Sequence, residues 1–280
     1  MSRMNQDKLA SECVCETCGE KFQGEANVIN LGNRLREYWP QQCQVCHDLQ
    51  TAEDERQRQL YLVLGRQEDR VRWRQQSGIP EGLISRTFES FEPGRQDKTL
   101  KVCRKYAEGF KLEAAMGYRS LILYSPSPGL GKTHLVVAIA NYVTDHWEGE
   151  PGTLCDPIRF ESGPGLVRRV RATYGAKGGA IRQESEMEIY EKLKGVRLLI
   201  LDDVGKEKPS DFTRELYWYL INERVASALP VLITCRLPLE GSNSLQELMG
   251  TDTVDRLYGM TRGHIEILEG GSYRKFKKVA

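Results

Sequence analysis

Apolar positions along this chain fall into short unbroken runs separated by stretches with helical spacing. Leu121 to Tyr124, Ile158 to Phe160, Val196 to Leu201 and Pro230 to Thr234 are of strand length and are mostly apolar at successive positions. Such runs mark strands covered on both faces, as in a parallel sheet. Between them Leu100, Cys103, Tyr106, Ala107 and Phe110 recur at intervals of three and four, as do Leu135, Ala138, Ile139 and Val143. A further amphipathic helix is expected from Asp211 to Ser227, carrying Phe212, Leu216, Tyr219, Leu220 and Val225. Val254 to Leu257 reads as a short helical segment, and Ile265 to Leu268 alternates. Strands alternating with helices in this way predict a three-layer α/β domain.

The polar pattern divides the chain. From Asp48 to Gln76 the sequence is dense in Glu, Asp, Arg and Gln, with few apolar positions (Leu60, Leu62, Val63, Leu64, Val71, Trp73). This predicts a solvated helical connector. Ser77-Gly78-Ile79-Pro80 interrupts it and marks a domain boundary. The expected organisation is a small module over 1–50, a charged helical linker over 51–78 and the α/β domain over 79–280.

With 280 residues there is room for one large domain and a small module. The composition, 40% hydrophobic and 28% charged, is that of a globular protein. A net charge of +1 gives no global signature of nucleic-acid binding, so any such contact needs a local patch. No apolar run reaches the ~18 residues of a membrane span, and Met-Ser-Arg-Met-Asn-Gln-Asp lacks the apolar stretch of a signal peptide. The expectation is a cytoplasmic protein with no membrane partner.

Five of the eight cysteines, Cys13, Cys15, Cys18, Cys43 and Cys46, precede residue 50. In a reducing compartment such clustering favours metal over disulfides. Cys15-x2-Cys18 and Cys43-x2-Cys46 form two knuckles whose four thiolates suit tetrahedral Zn2+, and the intervening segment fits a zinc ribbon better than a small finger. Cys13 and His47 are spare donors.

Two stretches carry the remaining chemistry. After the run Leu121 to Tyr124 the chain reads Ser-Pro-Ser-Pro-Gly-Leu-Gly-Lys-Thr-His up to His134. Gly129 and Gly131 let backbone N–H groups turn towards an anion, and Lys132-Thr133 stand where a helix would begin, as in a phosphate-binding loop. Lys132 would reach β- and γ-phosphates and Thr133 would bind Mg2+. The full pattern has Gly at 126, where this chain has Pro126. In the second stretch, the run Val196 to Leu201 ends in Asp202-Asp203, which places paired acids at the C-terminal edge of the sheet, where the phosphate loop also opens. Asp202 would hold Mg2+, and Asp203 would orient or deprotonate the attacking water. Phe88 and Phe91 either flank a base or cap the core. Arg168, Arg169 and Arg171, with Lys177 and Arg182 beside Gly175, Gly178 and Gly179, read either as a solvated helix face or as a grip on a nucleic-acid backbone.

In this order Gly-Leu-Gly-Lys-Thr-His-Leu, Leu-Leu-Ile-Leu-Asp-Asp-Val-Gly, Pro-Val-Leu-Ile-Thr, Asp-Arg-Leu and Ser-Tyr-Arg resemble the AAA+ ATPases of the DnaC/DnaI helicase-loader and IstB transposition-helper group over residues 77–278. The resemblance implies an AAA+ three-layer P-loop domain behind a zinc-binding module that engages a replicative ring helicase, with ATP as cofactor and single-stranded DNA as a further partner. It places Lys132 and Thr133, with Gly129, Gly131 and His134, in the nucleotide site, and makes Asp202 and Asp203 the second acidic motif. It assigns Arg256 as an arginine finger reaching the nucleotide of a neighbouring copy, and hence implies self-assembly. Arg274 becomes a sensor arginine, and Arg168, Arg169 and Arg171 take the position of the DNA-contacting insertion. The chain departs from the pattern at Arg236, where the family has a sensor asparagine, and at Asp203, where AAA+ proteins commonly have glutamate. Two alternatives follow: a transposition helper that works on duplex DNA, and a nucleotide-locked adaptor that captures or inhibits a helicase.

Overall fold

The structure is a computed structural model that describes residues 10–30, 34–92, 94, 96–174 and 184–276. The chain forms two compact units, residues 1–64 and 65–280.

In the first unit β1 (Ala10–Val14) pairs antiparallel with β2 (Lys21–Glu25), and β3 (Asn27–Asn30) with β4 (Leu35–Tyr38). Gly19, at φ +76°, turns the chain between the first pair and bonds its N–H back to the Cys15 carbonyl at 2.9 Å. Among the described residues from 10 to 43 only Cys15 and Gly24 are buried. Two short hairpins with so little apolar burial have almost no core of their own.

Helix α1 (Gln44–Gln76) follows, and its polar sequence does form one continuous helix. The boundary between units lies within it, between residues 64 and 65, and not at Ser77–Pro80. Trp73, buried, meets Trp147 edge-on at 4.6 Å between ring centroids. Arg66 Nε donates to the Gly149 carbonyl at 2.9 Å, Arg70 Nη2 to the Trp147 carbonyl at 2.7 Å, and Gly152 N donates to Asp69 Oδ2 at 2.7 Å. The last turns are therefore packed, not solvated. A tryptophan on an otherwise charged helix has a strong drive to leave water. Ser77 is buried as well, and its carbonyl accepts the N–H of Phe160 at 2.7 Å.

The second unit continues with α2 (Asp97–Gly109), β5 (Leu121–Tyr124), α3 (Lys132–Asp145), β6 (Ile158–Ser162), α4 (Gly163–Thr173) and α5 (Glu186–Gly195). It ends with β7 (Leu198–Val204), α6 (Asp211–Ala226), β8 (Val231–Cys235), α7 (Leu245–Met249), α8 (Thr251–Thr261), β9 (Ile265–Ile267) and α9 (Tyr273–Phe276). The five strands form one parallel sheet in the order β6-β7-β8-β5-β9. Alternate residues face opposite layers. Leu121, Leu123, Leu198 and Ile200 join Tyr106, Leu135 and Ile139 on one side. Ile122, Leu199 and Leu201 join Leu166, Leu216 and Leu257 on the other. Both faces are covered, which is why the strands read as continuous apolar runs; each fully buried Leu or Ile contributes about 1.5–3 kcal/mol.

Strand β8 lies between β5 and β7, so the phosphate loop and the paired acids open at the same sheet edge with one strand between them.

Candidate functional site

The loop after β5 leads into α3 through Gly131, whose φ is +89° and which caps the helix. A Cβ at Gly131 would lie 2.5 Å from the Phe91 ring, and one at Gly129 (φ +76°) 2.2 Å from Ser272 Oγ. Both positions demand glycine for backbone sign and for space. Pro126 is exposed in this loop, and the buried Ser125 before it bonds Oγ to the Ser127 carbonyl at 2.7 Å. The C-terminal segment closes over the loop: Tyr273 N donates to the Gly129 carbonyl at 2.9 Å.

Lys132 is buried and donates from Nζ to Ser125 Oγ at 2.6 Å; burial pulls its pKa below the ordinary lysine value. Thr133 Oγ1 donates to both carboxylate oxygens of Asp202, at 2.9 and 3.0 Å. Burial raises the Asp202 pKa, against the opposing pull of hydrogen bonds from Thr234 and Thr133. Hydroxyl and carboxylate oxygens held this close form the hard donor set that suits Mg2+. Asp203 stands on a bulged end of β7 with φ +54° and forms an ion pair with Lys206 at 2.5 Å.

These groups line one cleft of about 700 Å3, within the range of small-molecule sites. Gly129, Gly131, Lys132, Thr133, His134, Asp202 and Asp203 all border it, and so do Arg236, from the end of β8, and Arg274. His134 turns its Nε2 to the Thr87 carbonyl at 2.8 Å, and Asn141 Nδ2 donates to the carbonyls of Ile84 and Arg86 at 2.9 and 2.7 Å. Both side chains of α3 thus secure the 84–90 segment that walls the cleft. Both aromatics left open by the sequence are buried in the core, and Phe91 also borders the cleft, packing edge-on to His134 and Tyr273.

The remaining assigned arginines lie elsewhere. Arg256, half-buried on α8, is outside the residues that line the cleft. On α4, Arg168 and Arg171 are exposed, and Arg171 sits 5.0 Å over the Phe212 ring. Arg169 is instead held in the fold, paired with Glu161 and with Glu184 at 2.7 Å. Lys177 and Arg182 lie outside the described residues.

In the first unit the sulfurs of Cys15, Cys18, Cys43 and Cys46 all lie within 4.8 Å of one another, and Cys18 and Cys43 are 3.8 Å apart. A tetrahedral zinc with Zn–S of about 2.3 Å requires sulfur pairs about 3.8 Å apart, so the donor set fits this ion. Backbone N–H groups of Cys43 and then Cys18 draw the Cys15 thiol down to about 6, while the thiols of Cys18 and Cys43 push Cys46 up to about 12.

The reading from sequence did not single out Ser125, Thr234, Lys206, Ser272 or Asn141. Only Thr234, at the end of an apolar strand leading into the cleft, carried a readable signal.

The family model for the IstB-like ATP binding protein matches residues 85–280. The replicative helicase loader DnaC of Buchnera aphidicola subsp. Acyrthosiphon pisum is 27% identical over 206 residues, 72% of this chain and 74% of the loader. That of Buchnera aphidicola subsp. Schizaphis graminum is 26% identical over 183 residues, 65% of this chain and 66% of the loader, so the match spans about two thirds of its length. The crystal structure of the DnaC helicase loader shares the fold with a TM-score of 0.53 at 23% identity, over 68% of this chain and 100% of that one. The DnaI crystal structure does so at 0.52 and 17% identity, over 68% and 95%.

Proposed function

This chain belongs to the family of IstB-like ATP binding proteins, and from that premise we propose that it is an ATP-hydrolysing helicase loader that acts on single-stranded DNA in the cytoplasm. The observation that carries the reading is the convergence of Lys132, Thr133, Asp202, Asp203, Arg236 and Arg274 on one cleft. The match to replicative helicase loaders supports replication as the setting.

In this reading the amides around Gly129 and Gly131 and the N-terminus of α3 cradle the phosphates of ATP, and Lys132 bonds the β- and γ-phosphates. Mg2+, which Thr133 and Asp202 would hold, would neutralise phosphate charge there. Asp203 orients the attacking water and takes its proton as the water oxygen bonds to the γ-phosphorus and the bridge to ADP breaks. Arg274 and Arg236 face the same phosphates. Arg256 serves a neighbouring copy, which makes self-assembly part of the cycle.

Zn2+ on Cys15, Cys18, Cys43 and Cys46 would hold the first unit together, and that unit would carry the contact to a ring helicase. Arg168 and Arg171, exposed on α4, would contact the DNA backbone, with Arg169 holding the helix in place.

Steady-state phosphate release with and without single-stranded DNA tests the reading. Lys132→Ala and Arg256→Ala are each expected to abolish the DNA-stimulated part; unchanged turnover in both would refute it. Recovery of a transposase in place of a ring helicase from native extract, with preference for duplex DNA, would favour the transposition helper.

Arg236 favours a second reading, the nucleotide-locked adaptor. Asparagine at that position can both donate to and accept from an attacking water, whereas a guanidinium only donates and is always charged. ATP that stays bound for hours without phosphate release would establish this reading over the first.

A further inference from the structure

The cleft holds an ammonium that the phosphate-loop chemistry does not require. Lys206 borders it and pairs with Asp203 Oδ2 at 2.5 Å, and the two side chains are 43% and 33% exposed. The pair is not a chance meeting of flexible surface groups, because the short segment bearing both residues is pinned at each end. At one end the Asp203 amide donates to Thr234 Oγ1 at 2.9 Å, which fixes a backbone already held at φ +54°. At the other end Glu207 is buried, accepts the hydroxyl of the fully buried Tyr217, and receives the Gly205 amide at 3.2 Å. Between them Gly205 adopts φ +96° with Leu237 packed against it; a Cβ there would lie 2.7 Å from that side chain. The backbone thus presents Lys206 to Asp203 within one tight turn.

The two acids of β7 are consequently held in different ways. Asp202 accepts two hydroxyls, from Thr133 and from Thr234 at 2.6 Å. Asp203 has an ammonium on the carboxylate that must face water. A carboxylate bonded to an ammonium offers one lone pair fewer to the attacking water.

We propose that Lys206 is a positioning residue that restrains hydrolysis: it holds Asp203 in a resting ion pair that must open before Asp203 can engage the attacking water. This rests on the reading of the cleft as an ATP-hydrolysing site. It deepens that reading by locating a brake in the chain itself, three residues beyond the acid it controls. Any partner that draws the Lys206 ammonium away, DNA phosphate or an acidic side chain of a neighbouring copy, would release it.

The test compares wild type, Lys206→Met, which keeps most of the aliphatic stem, and Lys206→Arg, as full-length zinc-loaded protein with Mg2+. Binding of a fluorescent ATP analogue is measured alongside steady-state phosphate release. Lys206→Met is expected to raise kcat about two- to fivefold, the worth of an exposed ion pair, with KM for ATP unchanged. Lys206→Arg is expected to restore the wild-type rate. A fall in kcat, or a rise in KM, in Lys206→Met would overturn the proposal and make Lys206 a phosphate ligand. Equal kcat in all three proteins that bind the analogue would overturn it as well, leaving the nucleotide site itself intact. Failure of wild type to bind the analogue would instead remove the reading on which the proposal rests, and the proposal with it.

Discussion

Thr234 is bonded to Asp202 across two neighbouring strands. Its hydroxyl donates to Asp202 Oδ1 at 2.6 Å, and Thr234 Oγ1 in turn accepts the amide of Asp203 at 2.9 Å. One fully buried hydroxyl therefore sets the position of both acids. Thr234→Val preserves the shape but strands the Asp203 amide and one lone pair of Asp202, at a cost of about 1–3 kcal/mol in stability. ATP turnover is expected to fall at least about tenfold, because a reacting group displaced by about 1 Å forfeits much of its advantage. Thr234→Ser should retain most of the activity. Turnover in Thr234→Val equal to wild type would show that the hydroxyl has no such role.

Arg224 fills the core with no exposed surface, and burial pushes its guanidinium down to about 9. It donates to the carbonyls of Leu193, Lys194, Val196 and Pro230 at 2.8, 3.2, 3.0 and 2.6 Å, tying the end of α5 to the start of β8. Methionine fills similar volume but leaves those carbonyls unpaired. Arg224→Met is expected to destabilise the second unit by about 1–3 kcal/mol, read from the midpoint of urea unfolding. A shift equivalent to under about 1 kcal/mol would mean that water takes over the carbonyls.

The sequence made the sheet legible because strands covered on both faces leave an unmistakable apolar run, and each run led to a strand. That Gly129 to Thr133 and Asp202-Asp203 would meet was legible for a related reason: they stand in adjacent residues at strand ends, and they border one cleft. What stayed hidden depends on register. Thr234 meets Asp202 only because β8 lies beside β7, and Ser272 meets Gly129 only because the C-terminal segment returns to the loop. Trp73 was submerged in a charged helix whose average pattern is solvated. Helix α5 escaped notice because only Ile189 and Leu193 are buried; the capping box of Ser185 and Glu188 was the signal that could have found it.

Removal of metal should unfold the first unit and leave the second folded. Because Cys15 and Gly24 are the only buried residues described between 10 and 43, the hairpins depend on whatever joins the four sulfurs. A thiol-competent zinc chelator, or Cys43→Ser, is expected to unfold the hairpins while the second unit keeps its thermal transition. Limited proteolysis would then cut before residue 44 and spare the segment after it. Hairpins that resist protease at the wild-type rate after zinc is removed would rule out a metal-held module.

His134 gives the second unit a defined response to acid. Burial lowers its pKa below the ordinary value of 6.5, and its Nε2 meets the Thr87 carbonyl at 2.8 Å. The unfolded imidazole therefore takes up a proton at higher pH than the folded one. Above 6.5 both forms are neutral and the residue adds no pH dependence; as pH falls from 6.5 towards the folded pKa, protons favour the unfolded chain and stability is lost; below that value the loss levels off. His134→Gln keeps a donor for Thr87 and removes the titration. In nucleotide-free protein melted at intervals between about pH 7.5 and pH 5.5, the variant is expected to lose less stability on acidification than wild type. Melting curves that fall in parallel would show that another group governs this window.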